Sequence, residues 1–360
     1  MLFLYRTRQT TGSPVGLGVT ALHSVRVLRR QGVRADFAGA WSVDDIHAAL
    51  SRYPSTTHCV IEAPWVSADD TAALASRYPS VHFIVRAHSQ IGFLQVEAGA
   101  IRILRELMHL QDHTLNVSVC ANSELLADFL ERTYSGECLH LPNLYDASRV
   151  TRRPRGAHDH RLLRVGSFGA LRLLKNHTTA AAAALMLARA RGADLEFWIS
   201  KDPDPWGAGI LDSLHAMFDG LKWAKLVVNP WEGWASFRRT VAHMDLCYQL
   251  SSTETFNVTA ADAVAEGVPC VVTLAIAWAT RHWQVDTDRV EDAARVGSHL
   301  LSDLNAVCDG ALALERFNRD AIATWIRYLR RSVSELNAIG RGTGGRCTTW
   351  RGVASVVRRS

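Results

Sequence analysis

Ser251-Ser-Thr-Glu254-Thr255-Phe256-Asn257-Val-Thr-Ala-Ala-Asp262-Ala-Val-Ala-Glu-Gly267-Val-Pro269-Cys-Val-Val272 follows an apolar run, Met244 to Leu250, that reads as a buried strand. A polar loop comes next, then a helix from about Asn257 to Glu266, a glycine stop and a second apolar strand. In a parallel sheet, a strand–loop–helix–strand unit places the loop and the helix N-terminus at the carboxyl edge, where open α/β folds bind ligands. Glu254 and Asp262 lie eight residues apart, positioned to read the hydroxyls of a bound ligand. An acid beside the positive end of a helix has a plainer reading too, contributing roughly a few tenths of a kcal/mol.

Outward from this unit, strands alternate with helices along the whole chain, which predicts parallel sheets covered by helices on both faces. In the first half, strands are expected at Leu2–Tyr5, Val33–Phe37, Cys59–Glu62, His82–Arg86, Val117–Ala121 and Cys138–Leu141. Residues 146–160 hold four arginines and no apolar periodicity, the signature of a linker. The alternation then restarts at Leu162 and ends in a long helical stretch, Ala311 to Leu336. The expected organisation is a domain over 1–146, a linker over 147–160, a second domain over 161–310, a helix over 311–339 and a basic tail over 340–360. Small-molecule sites favour the cleft between two such domains.

The bulk properties are those of an ordinary globular protein. Among 360 residues, 48% are hydrophobic and 21% charged, and no apolar run approaches the ~20 residues of a membrane span. Met1–Tyr5 is too short for a signal peptide and reads as a first strand. The seven cysteines show no paired spacing, which suits reduced core thiols and a cytoplasmic location. The net charge of +5 equals the five arginines after Gly340, so the body is near neutral. That tail could contact phosphate backbones, or be a solvated terminus.

Several motifs compete for the chemistry. Gly16-Leu-Gly18-Val-Thr-Ala21 matches the dinucleotide pattern, with Asp36 about where a ribose acid would sit, and would imply an NAD-dependent oxidoreductase. Ten residues separate Tyr5 from Gly16, however, whereas the fingerprint turn follows its strand at once. Asp202-Pro-Asp204 is either a metal-holding acid pair or a proline-flanked turn. His109 and His113 share a helix face without a nearby third ligand, so no metal site is expected. Val165-Gly-Ser-Phe-Gly169-Ala-Leu-Arg172-Leu-Leu-Lys175-Asn-His177 is more telling. A strand runs into a loop where Gly169 allows close backbone approach, two cations follow, and a helix begins: a setting for a diphosphate.

With both segments in view, the chain resembles the large retaining glycosyltransferase family of the GT-B fold, which uses nucleotide-diphosphate sugars. The family's E-x-F-G-x-x-x-x-E-A-x-A-x-G-x-P-V reads here Glu254-Thr-Phe256-Asn257-Val-Thr-Ala-Ala-Asp262-Ala263-Val-Ala265-Glu-Gly267-Val-Pro269-Cys270, with Asn257 for glycine and Asp262 for the second glutamate. Pro142-Asn-Leu-Tyr-Asp146 stands where the family has P-N-G-V-D.

The resemblance implies two doubly wound Rossmann-like domains facing across a cleft, with the last helix returning to the first domain. It implies that Glu254 bonds sugar hydroxyls of the donor and that the amides of Thr255 and Phe256 help hold the diphosphate. Arg172 and Lys175 would neutralise the leaving group, replacing a metal. Asp262 would accept from the ribose, one methylene shorter than usual. His88 would contact the donor sugar, and Gly16 and Gly18 would form the first domain's glycine-rich loop. The donor would be a UDP- or GDP-sugar, with no further cofactor. The texture also resembles bacteriophage glycosyltransferases that modify DNA, so a hydroxymethylated DNA base is one candidate acceptor. A non-catalytic nucleic-acid-binding protein on the same scaffold is an alternative.

Overall fold

The computed structural model describes residues 1–7, 16–95, 97–134, 136–148, 150, 161–201 and 207–342, the last eleven by backbone alone. The Asp202-Pro-Asp204 motif, most of the arginine-rich linker and most of the basic tail lie outside the described residues. Packing divides the chain into two units, 1–146 with 318–360, and 147–317. The second boundary therefore falls at Phe317, inside the last helix.

Unit one is a six-stranded parallel sheet in the order β2-β1-β3-β4-β5-β6. Its strands are β1 (Leu2–Arg6), β2 (Asp36–Ala40), β3 (His58–Glu62), β4 (His82–Ala87), β5 (Val117–Ala121) and β6 (Leu139–His140). Helices α1 (Gly16–Arg30), α2 (Val43–Arg52), α3 (Ala68–Arg77), α4 (Ile91–Leu94), α5 (Ala98–Gln111) and α6 (Glu124–Tyr134) connect them. Strands covered on both faces become continuous apolar runs, and β3 and β4 are buried along their whole length. Helix starts follow capping chemistry: Ser42 accepts from Asp45 N while the Asp45 carboxylate accepts from Ser42 N, and Ser67 accepts from Asp70 N.

Unit two is a second six-stranded parallel sheet, in the order β12-β11-β10-β7-β8-β9. It comprises β7 (Leu162–Ser167), β8 (Asp194–Ser200), β9 (Ala224–Asn229), β10 (Leu246–Gln249), β11 (Cys270–Thr273) and β12 (Gln284–Val285). Its helices are α7 (His177–Arg191), α8 (Ala208–Phe218), α9 (Trp234–Ala242), α10 (Val258–Ala265), α11 (Val290–Ser302) and the start of α12 (Ala306–Gly342). Counted within the unit, the strand order is 3-2-1-4-5-6, the Rossmann order, and the connectivity reverses between β7 and β10.

Two expectations need correction. The second strand is Asp36–Ala40, not Val33–Phe37. Met1 N donates to Arg34 O and Arg29 Nε to Ala35 O, so those residues are used as a tether before pairing starts. Asp36 therefore opens β2 and pairs with Arg29, at the sheet edge opposite to where a ribose acid belongs. Gly16 and Gly18 lie in the first turn of α1, not in a loop, and neither has positive φ. Thr20 Oγ1 donates to Gly16 O at 3.0 Å, which holds that turn helical. The dinucleotide fingerprint loses both of its elements.

Five of the six described cysteines are buried, all six are free thiols, and no described helix is long and apolar enough to cross a membrane.

Candidate active site

The loops after β7 and β10 meet where the strand order of unit two reverses. Gln249, the last residue of β10, donates from Nε2 to Phe168 O at 3.1 Å, and Ser252 N donates to Leu174 O at 2.8 Å. Gly169 has φ 111°, a conformation closed to other side chains, and a Cβ there would lie 3.9 Å from Thr259 Oγ1 in the first turn of α10. The backbone after β7 thus runs beside the start of that helix, where free amides and the helix dipole favour an anion.

Lys175 ends a 3-10 turn, Leu173–Lys175, that opens with exposed Arg172. Asn176 then takes the left-handed region, φ 56°, and its side chain donates to Thr287 O at 3.0 Å, turning the chain into α7. This brings the Lys175 ammonium onto Glu254 Oε1. Glu254 Oε1 also accepts from Asn257 Nδ2 at 3.0 Å, and its side chain is only 10% exposed. The two segments singled out from sequence are therefore joined by an ion pair. The loop between Ser251 and Asn257 is pinned from beneath: buried Phe256 stacks on Phe317 at 5.0 Å, and Trp278 Nε1 donates to Phe256 O at 2.5 Å. The Phe256 ring is thus in the core, and its carbonyl is held by an indole. Beside Lys175, buried His177 titrates at about 3, held down by desolvation first and by the lysine second.

The departure at Asn257 has a physical explanation. Its φ of 62° lies in the left-handed region that glycine adopts freely, and asparagine is a non-glycine residue that tolerates it. It adds what glycine lacks, since Asn257 Oδ1 accepts from Ala260 N at 2.8 Å and caps α10. Asn257→Ala is expected to cost about 1–2 kcal/mol through lost cap and backbone strain, and Asn257→Gly only about a few tenths. Urea unfolding of the three chains checks the order.

Asp262 is wholly buried, and both carboxylate oxygens lie 3.2 Å from the Trp234 indole nitrogen, which donates to them. Sequence reading missed Trp234, which precedes Asp262 by 28 positions and carries no motif.

In unit one, His88 sits just past β4 in a buried polar network. Arg86 donates from Nη1 to both Glu62 oxygens at 3.0 and 2.8 Å, from Nε to Leu141 O at 2.9 Å and from Nη2 to Asn143 Oδ1 at 2.5 Å. Glu62 Oε2 also accepts from His88 Nε2, which leaves Nδ1 to accept from Asn122 Nδ2 at 3.1 Å. Burial alone would push the Glu62 carboxyl up, but Arg86 and His88 outweigh it and hold it below its ordinary value. Burial holds His88 below its ordinary value, with Glu62 pulling the other way. The ring is oriented and engaged at both nitrogens.

No protein-family profile and no curated protein sequence matches the chain. Solved structures do. Sucrose-phosphate synthase from Thermosynechococcus elongatus aligns over 93% of this chain and 99% of its own, with a TM-score of 0.68 at 14% identity. HepE of Anabaena, solved with UDP and glucose, aligns over 93% and 100% at 0.62 and 13%. Trehalose 6-phosphate synthase from Burkholderia multivorans aligns over 96% and 99% at 0.61 and 13%. At these identities the likeness establishes architecture: the chain has the two-domain, Rossmann-like GT-B fold of these glycosyltransferases.

Proposed function

We propose that this protein is a glycosyltransferase that takes a sugar from a UDP-sugar donor and transfers it with retention of configuration. The observation that carries the reading is the Lys175–Glu254 ion pair at the strand-order reversal of unit two, capped by Asn257 and tied across by Gln249. It gathers a cation for a leaving diphosphate and a carboxylate for sugar hydroxyls beside a helix N-terminus. HepE and a UDP-forming trehalose-phosphate synthase share the fold, which favours UDP over GDP as the donor nucleotide.

In this reading Arg172 and Lys175 neutralise the diphosphate. Gly169 lets the backbone approach it, and the amides of Thr255 and Phe256 bind its oxygens. Glu254 orients the donor sugar, and same-face attack then needs no protein nucleophile. Asp262 reads the ribose while sharing its carboxylate with Trp234, and His88 contacts the donor sugar from a fixed ring. The bacteriophage reading rests on the general texture of the sequence, and the DNA-base acceptor also on arginines largely outside the described residues; no described feature favours either.

A thermal-shift panel tests the donor site. UDP is expected to raise Tm, GDP and ADP less, and NAD not at all. The UDP response should vanish in Lys175→Ala. Stabilisation by NAD alone would overturn the reading.

A further inference from the structure

The acid expected to meet the donor's ribose is already engaged by a protein group. Asp262 stands in α10, wholly buried, and the Trp234 indole nitrogen lies 3.2 Å from each of its carboxylate oxygens. Equal distances put the indole N–H on the line that bisects the carboxylate. The two vicinal hydroxyls of a ribose would have to approach along that same line, one hydroxyl donating to each oxygen.

The indole is held there from several sides. Trp234 opens α9, and Ser236 N and Phe237 N donate to Gly233 O at 2.9 and 3.0 Å, closing the first turn around it. The Phe237 ring meets buried Phe168 edge-on at 5.4 Å, which fixes the start of α9 to the loop after β7. Glu232, just before the helix, accepts from Asn229 Nδ2, Ser236 Oγ and Thr240 Oγ1, each at 2.7 Å. One turn on, the Arg238 guanidinium carbon lies 5.3 Å from the Trp234 ring centroid, and Arg238 is ion-paired with Glu266 at the end of α10. Swinging the indole away from Asp262 would break the cation–π contact and loosen this frame.

We propose that Trp234 sets the nucleoside specificity of the donor site, so that a 2′-deoxyribonucleoside diphosphate sugar is accepted as well as a ribonucleoside one. The inference rests on the donor reading above. Aspartate is one methylene shorter than the glutamate of the family pattern, so it does not reach past the indole to a diol. At most a single hydroxyl contact is left to it, and the 3′-hydroxyl, which both nucleoside series carry, can make that contact. A site built to read a hydroxyl rejects the analogue lacking it because its own buried polar group is then orphaned. Here the indole already satisfies Asp262, so a missing 2′-hydroxyl orphans nothing.

Calorimetry on the full chain with UDP and 2′-deoxy-UDP as probes tests this without any variant. The two dissociation constants are expected to agree within about twofold, short of the roughly tenfold or more that a hydrogen bond to a carboxylate contributes. In Trp234→Phe the carboxylate loses its donor, and UDP should then bind about tenfold tighter than 2′-deoxy-UDP. Trp234→Phe/Asp262→Ala should return the ratio to near unity, which ties the gain to the carboxylate rather than to the room the indole leaves. A preference for UDP of about tenfold in the unaltered chain overturns the inference and leaves the donor reading standing. A ratio unchanged in Trp234→Phe equally overturns the part given to Trp234. If neither nucleotide binds, the donor reading fails and takes this inference with it.

Discussion

Replacing Lys175 with alanine is expected to lower kcat/KM for UDP-sugar transfer by about two to three orders of magnitude, on the order of 3–4 kcal/mol of transition-state stabilisation. The charge that develops on the leaving diphosphate has to be met by a fixed cation, because a flexible one would reorganise at the moment of reaction. Lys175 is fixed: a 3-10 turn and the left-handed Asn176 place it, and Glu254 holds its ammonium. The same ion pair makes Glu254 a competitor for the diphosphate when no sugar is bound. Glu254→Gln should therefore tighten binding of UDP itself while slowing transfer, since the amide no longer neutralises Lys175 and no longer accepts fully from sugar hydroxyls. Opposite signs for nucleotide affinity and turnover are what separate a ligand-reading carboxylate from one that only supports the lysine. Calorimetry with UDP and steady-state rates on both variants give the comparison, and equal loss in both measurements for Glu254→Gln would remove the sugar-reading role.

Much of this site was legible before any coordinates, because it sits in local sequence. The strands β7 and β10 are apolar runs, their loops are polar, and the glycines and the G-x-P stop punctuate them in the expected places. What the text could not give is pairing across 79 positions. Nothing in Lys175 or Glu254 alone says that one will hold the other. Asn257 stands where the pattern has glycine, and its left-handed φ is one that glycine also adopts. Asp262 looked short of a contact and instead has an indole donor from another helix. The second strand was misplaced because, Phe37 apart, Asp36–Ala40 consists of residues depleted in strands, whereas Val33 opens a stretch that looks more strand-like and is drawn into a tether. The unit-one network was the least legible part. Glu62 and Arg86 each end a buried apolar run, where single-sequence reading sees only the polar stop of a strand.

That network yields the largest expected loss of stability. Arg86→Met should destabilise unit one by about 3–5 kcal/mol, because it leaves the Glu62 carboxylate in the interior without its main counter-charge. Both side chains are wholly buried, so water cannot replace the lost partner. The double variant Glu62→Gln/Arg86→Met should recover a substantial part of the loss, since the burial of an uncompensated charge is what costs most. The pH dependence has a definite sign. With Arg86 present, the Glu62 carboxyl is held below its ordinary value of 4.5, so its contribution is complete above that pH and fades as pH falls through the lower folded value. With Arg86 gone, burial raises that carboxyl instead, so the deficit should be widest near neutrality and narrow as acid protonates it. Urea unfolding across this range, followed as separate transitions because two units need not unfold together, reads the effect. A deficit that stayed constant with pH would mean that the loss comes from packing against Trp325, whose ring lies 5.4 Å from the guanidinium carbon, rather than from the charge.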